Sequence, residues 1–204
     1  MDKISLGLAA AALAAGANAQ TFRFDEDPAG ALPKGWTAGV TGHGAPRWTV
    51  EPDGTAPSAP HVLKQSGAGD FPWCVRNDIR LADGFVEVRF KALAGRDDQA
   101  GGVIWRWKSA NSYYVARANA LENNVSLYYT ENGIRKTIKY VDAPVAKNAW
   151  HTLRAEFRER HIRVLLDGKA CIELDDSHIA GAGAVGVWTK ADSVTAFDDF
   201  SAGP

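Results

Sequence analysis

The chain has 204 residues, 46% of them hydrophobic, with 23 Lys and Arg against 24 Asp and Glu for a net charge of −1 at pH 7. That balance excludes a nucleic-acid binder held by a basic patch, because neutralising phosphates needs clustered cations. The length suits one domain, and seven Trp is high for it, so where the indoles sit matters.

Lys3 precedes an Ala-rich apolar run from Ile4 to Ala15, and Ala17-Asn18-Ala19 stands just before Gln20. A basic start, a short apolar core and a small-x-small site describe a secretory signal peptide. Cleavage after Ala19 removes 19 of the 204 residues and leaves 185. The apolar run is shorter than the ~20 residues of a membrane span. Residue 20 is not cysteine, so no lipid anchor is expected. The expectation is a signal peptide over 1–19, a single domain over 20–204, export to the periplasm or beyond, and no membrane insertion after cleavage.

After residue 20 almost every regular segment has period two. Gly39–Pro60 is rich in Gly, Pro, Ser and Thr and reads as long loops around a strand at Arg47–Glu51. Phe85–Phe90, Gly102–Trp107, Tyr113–Asn119, Val125–Leu127 and Thr152–Arg158 alternate as half-buried antiparallel strands do. Asn132-Gly133 and Asp167-Gly168 are pairs favoured in two-residue hairpins, where both central residues need positive φ. Arg158–His161 supplies another turn, and only Asp176–Ala180 offers even a short helical turn. About a dozen strands spaced at roughly 8–12 residues predict an all-β sandwich or closed barrel.

Several segments also resemble a known superfamily. Trp150-His151-Thr152-Leu153-Arg154 with Ile162–Gly168 resembles the penultimate hairpins of concanavalin A-like jelly rolls, laminin G-like modules among them. Gly183–Trp188 followed by Phe197-Asp198-Asp199-Phe200 is similar to their closing strands. Gly101–Arg106 leading into Tyr113-Tyr114-Val115 is similar to secreted bacterial members grouped with the 3-keto-disaccharide hydrolase family, and Phe22–Asp25 with Leu32–Trp36 fits their first strand and loop. The resemblance implies a two-sheet antiparallel jelly-roll sandwich with its ligand on the concave face of one sheet. It specifies the architecture far better than the activity, since this fold hosts lectins, glycosidases, lyases and adhesion modules.

Strand parity then sorts candidates. Val103, Trp105 and Trp107 form the larger apolar set and are expected in the inter-sheet core, which turns Arg106 outward. Tyr114, Ala116 and Ala118 pack beside them, so Tyr113, Arg117 and Asn119 join Arg106. Burying Val185 and Val187 turns Trp188 and Lys190 to the same side. The expected binding set is Arg106, Tyr113, Arg117, Asn119, Trp188 and Lys190, with Glu122 and Asp192 at strand ends as the carboxylates to test for catalysis. Aromatic platforms beside Arg, Asn and carboxylates suit a sugar, which presents hydroxyl fans and apolar C–H faces.

Catalytic signatures are sparse. A Glu-x-Asp-x-Glu strand is absent, its nearest match, Glu173-Leu174-Asp175-Asp176-Ser177, lacking the third carboxylate. There is no Gly-x-Ser-x-Gly elbow, and the five histidines are scattered without zinc-binding spacing. Cys74 and Cys171 suit either a disulfide or two buried thiols. Asp25-Glu26-Asp27 and Asp198-Asp199 offer oxygens of the kind calcium takes, which leaves a structural calcium open; no other cofactor is expected.

The expected function is an exported jelly roll that binds a carbohydrate or glycoside. If it is an enzyme, the family resemblance implies cleavage of glycosidic bonds in 3-keto disaccharides or glycosides. There the ketone acidifies a neighbouring C–H so that one base suffices, Glu122 or Asp192, with Arg106, Arg117 and Lys190 stabilising charge. The alternatives are a non-catalytic lectin-like or laminin G-like adhesion module and a structural envelope protein. The oligomeric state stays open.

Overall fold

The computed structural model describes residues 18–204, so the expected signal peptide lies, but for its last two residues, outside the described range. Fifteen strands make two antiparallel sheets. In chain order they are β1 Gln20–Phe22, β2 Trp36–Ala45, β3 Trp48–Pro52, β4 His61–Gln65, β5 Ala68–Leu81, β6 Gly84–Ala94, β7 Ala100–Ser109 and β8 Ser112–Asn119. There follow β9 Asn124–Glu131, β10 Ile134–Asp142, β11 Trp150–Arg158, β12 His161–Leu166, β13 Lys169–Asp175, β14 Gly183–Trp188 and β15 Val194–Gly203. The eight-stranded sheet runs β13-β12-β11-β6-β15-β4-β3, with β1 also pairing β15; the seven-stranded sheet runs β10-β9-β8-β7-β14-β5-β2.

The expected turn chemistry is present. Asn132 and Gly133 have φ of 52° and 77°, and Asp167 and Gly168 have 51° and 77°, the left-handed pair that a tight hairpin requires. Asp176–Ala180 forms no helical turn: it runs as irregular chain between β13 and β14. Gly39–Ala45 is strand, not loop. Its glycines serve the pairing: a Cβ on Gly39 would fall 2.5 Å from the Trp73 ring lying over it. The register shifts between Thr41 and Gly44, a bulge that glycine permits.

The core between the sheets is filled by alternate residues of both. Trp105 is fully buried there, stacked between Tyr114 at 5.4 Å and Phe157 at 5.7 Å between ring centroids. Ala116 and Ala118 leave room for such rings. Cys74 lies in this core, where burial pushes its thiol well up, while Cys171 sits on β13; both are free. Asp198 accepts from the amide and hydroxyl of Ser58, and Asp25 from the amide of His61. These acids thus satisfy backbone, and among the described residues no group of three or more His, Cys, Asp or Glu is arranged to hold a metal.

One parity expectation fails, for an identifiable reason. Arg106 has φ of 46°, and the β7–β8 register shifts between Trp105 and Ser109. The bulge reverses the alternation, so Trp107 leaves the core and packs against Trp73 on the other face, 5.4 Å between centroids. The Arg106 guanidinium turns to the end of the sandwich. It donates to the carbonyls of Ala82 at 2.9 Å, Ile179 at 3.0 Å and Glu159 at 2.7 Å, and lies 5.7 Å from the Phe157 ring centroid. Those carbonyls belong to three separate connections, so Arg106 bolts them together and takes no part in a site with Arg117. Replacing it with Met leaves three inward carbonyls without their donor, at ~1–3 kcal/mol for each unmet group. Arg106→Met should therefore lower unfolding free energy by about 3 kcal/mol or more in urea denaturation.

Candidate functional site

The central strands of the seven-stranded sheet, β7, β8, β9 and β14, are buried on both faces, while its edge strands β2 and β10 are largely exposed. Opposite the core, a second apolar cluster of Trp73, Val75, Ile104, Tyr113, Val115, Tyr128 and Trp188 is flanked by Phe71, Trp107 and Ala110. The pairing register lays one row straight across all seven strands: Gly39, Trp73, Trp188, Gly102, Arg117, Ser126 and Tyr140. The two indoles stand side by side with a glycine on either flank, and a Cβ on Gly102 would press on Trp188 at 3.3 Å. The row passes from aromatic at one edge to polar at the other.

At the polar end Arg117, only 2% exposed, is the hub. Its Nη2 donates to Glu122 Oε2 at 2.7 Å and to Asn124 Oδ1 at 2.9 Å, and its Nη1 to Asp98 Oδ2 at 3.4 Å. Asp98, fully buried, also accepts from Asn119 Nδ2 at 2.8 Å and from Lys190 Nζ at 2.7 Å. Asn124 Nδ2 donates to Glu122 and to the Tyr140 hydroxyl, both at 2.7 Å. Two cations and two carboxylates thus share one hydrogen-bonded network, which offsets the cost of taking them out of water.

Local sequence explains the placement. Asn119 ends β8 and its Oδ1 accepts the amides of Leu121 and Glu122, closing the turn that presents Glu122. Asn123 takes φ of 52° within that turn, a conformation Asn tolerates. Asp192 accepts the amides of Arg96, Asp97 and Asp98 at 2.8, 3.0 and 3.1 Å. Its carboxyl faces the loop backbone, so Asp192 positions Asp98 and is a loop anchor.

Of the residues expected from sequence, Arg117, Asn119, Glu122 and Lys190 come together. Tyr113 and Trp188 lie on the same face but are fully buried. The Tyr113 hydroxyl meets Thr41 Oγ1 at 2.9 Å, and Phe71 stacks on Trp188 at 5.8 Å. They form the floor rather than the surface. Sequence reasoning missed Asp98, Asn124, Tyr140, Arg135, Phe71 and Trp73. The parity of Asn124, Ser126 and Tyr128 along β9 would have found the middle of this face, whereas Asp98 lies in a loop that no periodicity reaches.

What is accessible at the mouth is Glu122, with a side chain 39% exposed, Lys190 at 28% and Tyr140 at 48%. Partial burial pushes the Glu122 carboxyl up, but hydrogen bonds from Asn124 and Arg117 and the charges of Arg117 and Lys190 outweigh it and leave it below the usual range. Glu122 is therefore an anion at neutral pH, an acceptor or a base and not an acid.

No family model and no curated relative matches the chain by sequence. Solved structures do match in shape. The carbohydrate-binding module CBM66 from Bacillus subtilis superposes with a TM-score of 0.67 at 20% identity, over 82% of this chain and 94% of that one. A Bacteroides ovatus mixed-linkage glucan GH16 protein, in complex with its product, gives 0.59 at 12% identity over 90% and 98%. A β-glucanase from Bacillus licheniformis gives 0.54 at 14% identity over 93% and 98%.

Because the folded-state value of Glu122 is depressed, its carboxylate contributes stability above the unfolded value and loses it as pH falls through the folded one. Wild type should exceed Glu122→Gln in stability at pH 7. That margin should hold down to about pH 4.5 and vanish below it, as read by urea denaturation between pH 3 and 7. In architecture and in likeness to these solved structures, the fold is a two-sheet antiparallel jelly-roll sandwich.

Proposed function

We propose that the outer face of the seven-stranded sheet binds a carbohydrate. The carrying observation is the Arg117 network itself: four polar side chains on an outward sheet face are withdrawn from water and held rigid, with Glu122, Lys190 and Tyr140 open at its rim. A merely solvated strand face has no reason to bury its charges. Fixed acceptors and donors beside an exposed phenol ring match the hydroxyl fan and C–H face of a sugar. The solved structures that share the fold, a carbohydrate-binding module, a mixed-linkage glucan GH16 protein and a β-glucanase, support the same reading.

Binding without cleavage is the function proposed. A glycosidase of the usual kind needs a carboxylic acid kept protonated near neutrality beside a second carboxylate. On this face Glu122 is held ionised, and Asp98 is engaged by three donors. Elimination from a 3-keto disaccharide is a second reading, favoured by one observation: it asks only for a base, and Glu122 is a partly exposed carboxylate beside two cations.

Glycan-array screening followed by calorimetry should find a saccharide that binds saturably. Tyr140→Ala should weaken it about tenfold, the loss of one aromatic platform, while Tyr140→Phe, which keeps the ring and loses only the hydroxyl that accepts from Asn124, should keep most of the affinity. Incubation with 3-keto disaccharides should release no monosaccharide; release that Glu122→Gln abolishes would move the protein to the second reading.

We also propose that the protein is exported. Lys3, the apolar run and Ala17-Asn18-Ala19 support this, as does β1 beginning at Gln20, directly after the expected scissile bond. Expression of the full chain in a Gram-negative host should yield periplasmic protein whose N-terminal sequence starts at Gln20.

A further inference from the structure

Arg135, on β10, is placed unlike the other arginines of the described chain. Its guanidinium lies over three rings at once: 4.2 Å from the centroid of Tyr128, 4.7 Å from Phe71 and 5.8 Å from Trp188. It has neither an ion pair nor a hydrogen bond among the described residues, and its Nη1 is enclosed without a partner. Arg47, Arg89 and Arg158 also lack such partners, but they are exposed and water serves them. Arg135 is partly buried, and burial holds its guanidinium below its usual basicity.

The surroundings sharpen the imbalance. Arg117 repels it, and Asp98, the acid whose field reaches it, is already shared by Arg117, Asn119 and Lys190. Three cations on this face, Arg117, Lys190 and Arg135, therefore meet two carboxylates, Asp98 and Glu122. Thr130 is the direct cross-strand partner of Arg135, and its fully buried hydroxyl is unpartnered. Ring faces hold a guanidinium by its flat surface and leave its in-plane N–H groups unused. Its other N–H groups suit an acceptor-only, negatively charged planar group, which a guanidinium takes in a fork.

We propose that the saccharide bound on this face is acidic, and that Arg135 receives its carboxylate while the Arg117 end receives its hydroxyls. This rests on the carbohydrate-binding reading above and names the substrate class for it: an oligosaccharide containing uronate.

The test uses the mature protein and a panel of uronate tetrasaccharides of the galacturonate, glucuronate, mannuronate and guluronate types, each paired with its carboxyl-reduced neutral form, in calorimetry at low salt. At least one acidic member should bind ten times or more tighter than its neutral partner, and the ratio should shrink as salt rises. Arg135→Gln should collapse the ratio towards one, while Arg135→Lys, which keeps the charge, should retain part of it. Equal affinities for the acidic and neutral forms, with both weakened by Tyr140→Ala, would overturn the proposal and leave carbohydrate binding standing. A ratio that survives Arg135→Gln would overturn the role of Arg135. Binding of no member, where the glycan array finds a neutral ligand, would also overturn it; silence in both would bring down the carbohydrate reading too.

Discussion

A guanidinium withdrawn from water must be met by acceptors, and on the outer face of the seven-stranded sheet this need organises everything around Arg117. Asp98 comes from the β6–β7 loop, Glu122 from the β8–β9 turn, and Asn124 from the start of β9. Each reaches Arg117 only because something else fixes its backbone: three amides on Asp192 for Asp98, two amides on Asn119 for Glu122. The network is a rigid plate set into the sheet. Removing one member would strand a buried charge, which costs far more than an exposed ion pair contributes.

The dryness of that face comes from its neighbours. Trp73 and Trp188 lie across Gly39 and Gly102, and Phe71 closes over Trp188. A sheet buried on both sides usually carries covering helices. Here side chains of the sheet itself supply the cover, so the face stays available to a flat ligand. The bulge at Arg106 contributes by moving one indole, Trp107, from the core to this surface.

Much of the architecture was legible because period two and Asn-Gly or Asp-Gly turns report directly on hairpins. The alternation of β8 puts Arg117 and Asn119 on the face away from the core, and that of β14 does the same for Trp188. Period two fails wherever the backbone inserts a residue. The bulge after Trp105 carries Trp107 to the outer face and the Arg106 guanidinium to the end of the sandwich, and Gly42 and Gly44 disguised the end of β2 as loop. Asp98 and the anchoring role of Asp192 were illegible for another reason: loop acids take their meaning from which amides or cations meet them, and those partners lie from 19 to 96 residues away in sequence.

The electrostatics also bear on binding against turnover. An acid catalyst must hold a proton at working pH, and proteins raise a carboxyl by burial without compensation or by a second carboxylate. Glu122 receives the opposite treatment: two cations and an amide stabilise its anion. Asp198 is a carboxyl that burial does raise, and it lies on β15 of the other sheet, bonded to Ser58. Catalytic tuning and the accessible face therefore do not coincide. A network that keeps its anions charged and its geometry fixed lowers the ordering cost of a bound ligand, which raises affinity without providing a proton to transfer. The same preorganisation leaves Glu122 a base and not an acid.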